Sequence, residues 1–139
     1  MDLKDTLNEA LKGRLRRFGS IITQTKEECN YFPKNTSELR QLIDNRVKED
    51  PECDLNDIWV GDIDNMRDLF EYSAFNGDIS RWDVSNVVEM YGMFFKSDFN
   101  GDISAWNVSK VEDMDFMFKG SDFDGDISSW NVDNVYSMK

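Results

Sequence analysis

Apolar residues in the second half of the chain fall in columns that return every 24 positions. Phe75-Asn76-Gly77-Asp78-Ile79-Ser80 recurs as Phe99-Asn100-Gly101-Asp102-Ile103-Ser104 and again as Phe123-Asp124-Gly125-Asp126-Ile127-Ser128. Trp82, Trp106 and Trp130 keep that spacing, as do Val84, Val108 and Val132, and Met90, Met114 and Met138. Subtracting one period exposes a divergent first copy, in which Leu55, Ile58, Val60, Ile63, Met66 and Phe70 take the apolar columns. A fixed period of this size marks units that cannot bury their apolar face alone and must stack on their neighbours. Within a copy, Ile79, Trp82, Val84 and Val87 mix spacings of two and three and are rich in β-branched and aromatic types, which predicts a short strand flanked by turns. Met90, Met93 and Phe94 sit at i, i+3, i+4, which predicts one helical or 3₁₀ turn. Gly77, Gly101 and Gly125 are expected to supply a positive φ or a close backbone approach at the corner. The predicted fold class is an α+β solenoid, a leucine-rich-repeat-like stack of about 3.5 coils with short parallel strands, capped by N-terminal helices.

Three segments follow. Residues 54–139 form the repeat array. Residues 26–53 form a helical cap: Asn35-Thr36-Ser37-Glu38 reads as a helix start with Asn35 as N-cap, Leu39, Leu42, Ile43 and Val47 make one stripe, and Pro51 limits the end. This helix is expected to lid the first coil over Leu55 and Ile58, with Trp59 touching it. Residues 1–25 form an amphipathic extension, with Leu3, Leu7, Leu11, Leu15, Phe18 and Ile22 on one stripe and Lys12, Arg14, Arg16 and Arg17 crowding its middle. Leu7, Leu11, Arg14, Leu15 and Phe18 are a candidate recognition surface; a second layer on the cap is the competing reading. The last copy stops just after Met138, so either the chain is truncated there or that end meets a contact.

The net charge of −12 is uneven. Residues 1–53 hold 10 Lys and Arg against 10 Asp and Glu, whereas residues 54–139 hold 6 against 18. Such a surface repels phosphate, so direct nucleic-acid binding by the repeats is disfavoured and a basic protein partner is favoured. No window is apolar enough for a membrane span, and no secretory h-region is visible, which points to the cytoplasm. Cys29 and Cys53 could pair across the cap, but an intracellular setting favours free thiols.

No histidine is present, which removes histidine acid–base catalysis and most zinc sites. The Asp78, Asp102 and Asp126 column reads as turn aspartates that accept backbone N–H groups. Asp122 to Asp126 has the look of a calcium-loop opening, but no glutamate stands at the twelfth position. The tryptophan column could be a stacking platform, though strict repetition fits core or rim better. No catalytic residue, metal or cofactor is expected, and the chain reads as a non-enzyme.

Columns that vary between copies are where specificity can be written. Val88, Glu112 and Tyr136 share one; Tyr91 and Asp115 another; Gly92 and Phe116 a third; Glu71, Phe95 and Lys119 a fourth. Tyr91, Phe95, Phe116 and Tyr136 are the candidate partner-binding residues of the array.

The phrase Phe-Asn-Gly-Asp-Ile-Ser-x-Trp-Asp/Asn-Val-Ser-x-Val, followed by Met-x-x-Met-Phe, resembles the BspA-like leucine-rich-repeat bacterial surface proteins, in the subgroup with 24–26-residue repeats. Residues 31–58 are similar to the helical lead-in that precedes such arrays, and the first 25 residues resemble short tags on small repeat proteins of gut bacteria and their phages. The resemblance implies binding of proteins or host surfaces. The expected function is therefore a non-catalytic protein-interaction module, intracellular and with a phage among its candidate sources. The alternatives are a surface adhesin fragment or an acidic mimic of nucleic acid that inhibits a DNA-binding protein. A homodimer through the open C-terminal coil is a further expectation.

Overall fold

A computed structural model describes residues 23–139. The amphipathic extension, with Leu7, Leu11, Arg14, Leu15 and Phe18, lies outside the described residues except for its last three positions. A 3₁₀ turn, Lys26–Glu28, leads into one α-helix, α1, Thr36–Glu49. Asn35 caps α1 in the extended conformation, its side chain accepting from the Glu38 N–H. The reciprocal bond of this cap lands one residue early, on the Lys34 N–H rather than that of Asn35. Leu39 and Ile43 are buried in one core with Leu55 and Ile58, so α1 covers the first copy. The Trp59 ring lies against Gly61 and its Nε1–H donates to Asp62.

The expectation of an α+β solenoid built from parallel strands is overturned. Among the described residues extended pairing is confined to isolated parallel bridges, Tyr31 to Ile58, Asp54 to Asp78, and Asn65 to Glu89 to Asp113 to Ser137, and no sheet forms. The reason is local. Apolar residues three apart are the ends of hydrogen-bonded β-turns. The N–H groups of Ile58, Trp82, Trp106 and Trp130 donate to the carbonyls of Leu55, Ile79, Ile103 and Ile127. Val87 and Val111 close on Val84 and Val108 in the same way, and Met93 and Met117 on Met90 and Met114. A turn brings its first and fourth residues within about 7 Å, so both apolar side chains point inward at every corner, and no stretch stays extended long enough to be a strand. The Met-x-x-Met-Phe segment is not helical either. Its i+3 bonds are interrupted by left-handed residues, Gly92 at φ +61 and Lys96 at φ +52.

Successive copies lie on one another, and like residues form columns. Phe70, Phe94 and Phe118 stack at 5.4 and 5.6 Å with planes 1° apart. Trp82, Trp106 and Trp130 stack at 6.4 and 6.3 Å. Each indole N–H reaches the carbonyl of the preceding copy, Trp82 to Leu55, Trp106 to Ile79 and Trp130 to Ile103. These rings are nearly fully buried, which makes the column core rather than a stacking platform. The glycine corner works by close approach, not positive φ: a Cβ on Gly77 would stand 1.8 Å from the Cys53 carbonyl oxygen.

Near the N-terminus, Gln24 fills a polar slot in the buried layer. Its amide donates to the carbonyls of Asn56 and Ile58 and its oxygen accepts from Val60 N–H. Glu28 pairs with Arg81 of the second copy. Cys29 and Cys53 are both free thiols.

Candidate functional site

The segment after each apolar Met turns through left-handed positions, and these set what faces outward. The column Asp68, Gly92, Phe116 has φ of +56, +61 and +56; the column Tyr72, Lys96, Gly120 has φ of +57, +52 and +69. Only glycine takes this conformation without steric cost. Phe116, Tyr72 and Lys96 nevertheless occupy positions where a sister copy has glycine.

Their side chains meet on one face. Tyr72 and Phe95 touch edge to face at 5.7 Å, and Tyr91 and Phe116 at 5.6 Å. Arg67 stands 4.0 Å over the Tyr91 ring. The Lys96 ammonium lies over both Tyr72 and Phe95, and that of Lys119 over Phe116. Between them Asp68, Glu71, Tyr91, Gly92, Phe95 and Phe116 line a shallow hollow of about 170 Å³. Tyr72 is 65% exposed, while Tyr91, Phe95 and Phe116 are half-buried. Cation–π contacts of this kind contribute about 0.5–1 kcal/mol each at an exposed site. They also hold otherwise floppy Lys and Arg stems in place.

The structure thus brings Tyr91, Phe95 and Phe116 together. It does not bring in Tyr136, which is 76% exposed in the column of Val88 and Glu112 and makes no ring contact among the described residues. Tyr72, Arg67, Lys96 and Lys119 complete the face and were not singled out from sequence. A signal for Tyr72 and Lys96 existed in the column Tyr72, Lys96, Gly120, which holds an aromatic, a cation and a glycine.

The aspartate column is a set of turn acceptors. Asp78, Asp102 and Asp126 each accept the N–H of the serine two residues on, at 2.9 Å, and the Ser80 and Ser104 hydroxyls approach Asp78 and Asp102 to 2.7 Å. Bonding to Ser128, hydroxyl first and N–H second, holds the Asp126 carboxyl below the usual range. The Ser137 hydroxyl does the same for Asp115. Among the described residues no three His, Cys, Asp or Glu side chains converge on one point. No described helix is long and apolar enough to cross a membrane.

Residues 37–139 match the family model described as Mycoplasma protein of unknown function, DUF285. The chain belongs to this DUF285 family. The DUF285 match opens inside α1 and takes in every repeat copy, so the cap helix and the stack fall within one family unit. Comparison with curated proteins and with solved structures gave no match.

Proposed function

We propose that this chain is a non-catalytic protein-binding module of the BspA-like repeat group, and that it contacts its partner through the face formed by Tyr72, Tyr91, Phe95 and Phe116. One observation carries the reading: large side chains sit in left-handed positions that sister copies give to glycine, and all of them gather on one exposed face. Backbone strain of about 1–3 kcal/mol per residue persists where the surroundings hold it, and it clusters at binding and switch sites. Pre-positioned aromatic rings contribute contact area with little ordering cost, which is why such residues dominate interface energetics. The excess of acidic over basic residues in 54–139, 18 against 6, favours a basic protein over nucleic acid.

The test is affinity capture from nuclease-treated cell lysate, with the parent chain beside a Tyr72→Gly, Phe116→Gly double variant. Glycine at these two positions relieves the left-handed strain, so the variant should melt no lower than about 2 °C below the parent. A partner captured by the parent and lost by this folded variant supports the reading. Retention of the partner, or a collapse in melting temperature, refutes it, because the rings would then be dispensable or part of the core.

A further inference from the structure

The column Asp68, Gly92, Phe116 carries a side chain in the first and third copies and none in the second. That gap makes room for the hollow on the aromatic face. A Cβ on Gly92 would stand 2.2 Å from Asp68 Oδ1, so the Asp68 carboxylate leans across the place where a second-copy side chain would begin. Tyr91 and Phe95 of the second copy and Phe116 of the third stand around it, and Glu71 lines its first-copy side. The hollow of about 170 Å³ thus lies between described copies.

Its lining and its rim carry opposite charge. Arg67, Lys96 and Lys119 hold their cationic groups over Tyr91, Phe95 and Phe116, at 4.0, 5.4 and 5.1 Å from the ring centroids, and none of the three lines the hollow. The charged groups that do line it are two carboxylates, Asp68 and Glu71. Asp68 lies 3.6 Å from Arg67 Nε, whereas Glu71 is exposed and pairs with no cation among the described residues. Carboxylates set among aromatic walls suit a cation, which is drawn by the negative charge and by ring faces alike. An anion is repelled there, and an apolar group gains nothing from the carboxylates.

We infer that the hollow receives a lysine side chain from a basic polypeptide partner, with its methylene stem along the rings and its ammonium at Asp68 and Glu71. Ring geometry selects lysine over arginine. Tyr91 and Phe116 stand at 89° to each other, so a planar guanidinium can stack on one of them but not on both. A compact ammonium on a slender stem needs no parallel pair of rings. The three resident cations repel a further cation that stays on the rim, which confines the partner's charge to the hollow. The excess of carboxylates over the rest of residues 54–139 draws such a partner from a distance. The inference rests on the aromatic face being the contact surface, and adds the group that this face selects.

The probe is an end-blocked peptide, Gly-Gly-Lys-Gly-Gly, titrated into the ¹⁵N-labelled chain beside analogues with norleucine or arginine in place of lysine. Norleucine keeps the stem and removes the charge. The lysine peptide should shift the Glu71, Gly92 and Phe95 amides at millimolar concentration and bind about tenfold tighter than the norleucine peptide. It should also bind tighter than the arginine peptide and weaken as salt is raised. Glu71→Gln, at an exposed position, should weaken the lysine peptide about threefold and leave the melting temperature within about 2 °C of the parent. Absence of shifts at these amides, equal binding of the lysine and norleucine peptides, tighter binding of the arginine peptide, or undiminished binding by Glu71→Gln overturns the inference. Lysate capture with the same variants separates its failure from that of the face. A partner lost by the Tyr72→Gly, Phe116→Gly variant but held in full by Glu71→Gln leaves the face standing and sinks the lysine site. A partner held by the double variant sinks the face, and the inference falls with it.

Discussion

Replacing Trp106 by Phe tests whether the columns hold the stack together. Trp106 is 4% exposed, lies between Trp82 at 6.4 Å and Trp130 at 6.3 Å, and donates its indole N–H to Ile79 O at 3.0 Å. Phenylalanine keeps an aromatic ring but removes the donor, leaving the Ile79 carbonyl without it at a cost of roughly 1–3 kcal/mol. The smaller ring also leaves a gap, and poorer contact with two neighbours adds about 1–2 kcal/mol. A total near 3 kcal/mol follows, since the two terms overlap. Trp130→Phe makes the internal control. Trp130 has one neighbour in its own column, Trp106, beside a tilted contact with Phe118 at 6.4 Å; it is 8% exposed and lines an open apolar hollow with Ile127 and Val132, so water can reach what the substitution uncovers. Its cost should be about half. Urea unfolding followed by far-UV circular dichroism, which avoids the lost tryptophan signal, should move its midpoint down by about 1–3 M for Trp106→Phe, given a slope of about 1–3 kcal/mol/M. Equal costs for the two variants, or less than about 0.5 kcal/mol for Trp106→Phe, would refute the idea that column position sets the energy.

Gly77→Ala should destabilise by more than about 2 kcal/mol, because its Cβ meets the backbone carbonyl of Cys53; Gly125→Ala should cost less, since its nearest obstacle is the half-buried Phe123 ring. Thermal melts of the pair check this, and equal losses would contradict it. Asp115 has its folded-state pKa lowered by Ser137, so its ionised form stabilises the fold above the unfolded pKa, and that stabilisation disappears as pH falls through the folded value. Asp115→Asn should therefore melt lower than the parent at pH 7, with the gap closing below about pH 4; a gap independent of pH would point to shape rather than charge. Burial pushes the Cys53 thiol up despite Arg46, so its alkylation rate should rise later with pH than that of a free cysteine, and an ordinary profile would show it to be solvated.

Much of the architecture was legible before any coordinates. The 24-residue columns, the cap at Asn35, the stripe of Leu39 and Ile43, and the turn role of Asp78, Asp102 and Asp126 are local consequences of residue type and spacing. The strand reading failed on the same residues that carried the period. Ile79 and Trp82, or Val84 and Val87, are as compatible with a bulged strand as with a β-turn, since β-branched and aromatic residues suit any half-buried surface. What separates the two is a hydrogen bond from residue i+3 to residue i, which spacing alone does not reveal. The candidate face was half legible for a related reason. Variable columns exposed Tyr91, Phe95 and Phe116, but Tyr72 and Lys96 lie in a column whose left-handed backbone is fixed by the copies above and below.

Sequence alone determined which residues stand in register, because a side chain and its image 24 positions on must share one environment whatever the path between them. Tertiary structure decided the path and its polarity. It placed turns where strands were expected, aimed the N–H groups of Met66, Asp68, Phe70 and Tyr72 at the following copy but those of Val88, Asp98 and Glu112 at the preceding one, and set α1 over the Asn65 and Arg67 carbonyls with Thr36 and Arg40 as donors. The physical reason is that side-chain pattern reports burial, whereas the direction of a peptide N–H depends on φ and ψ, which in this chain are settled only when one copy closes on the next.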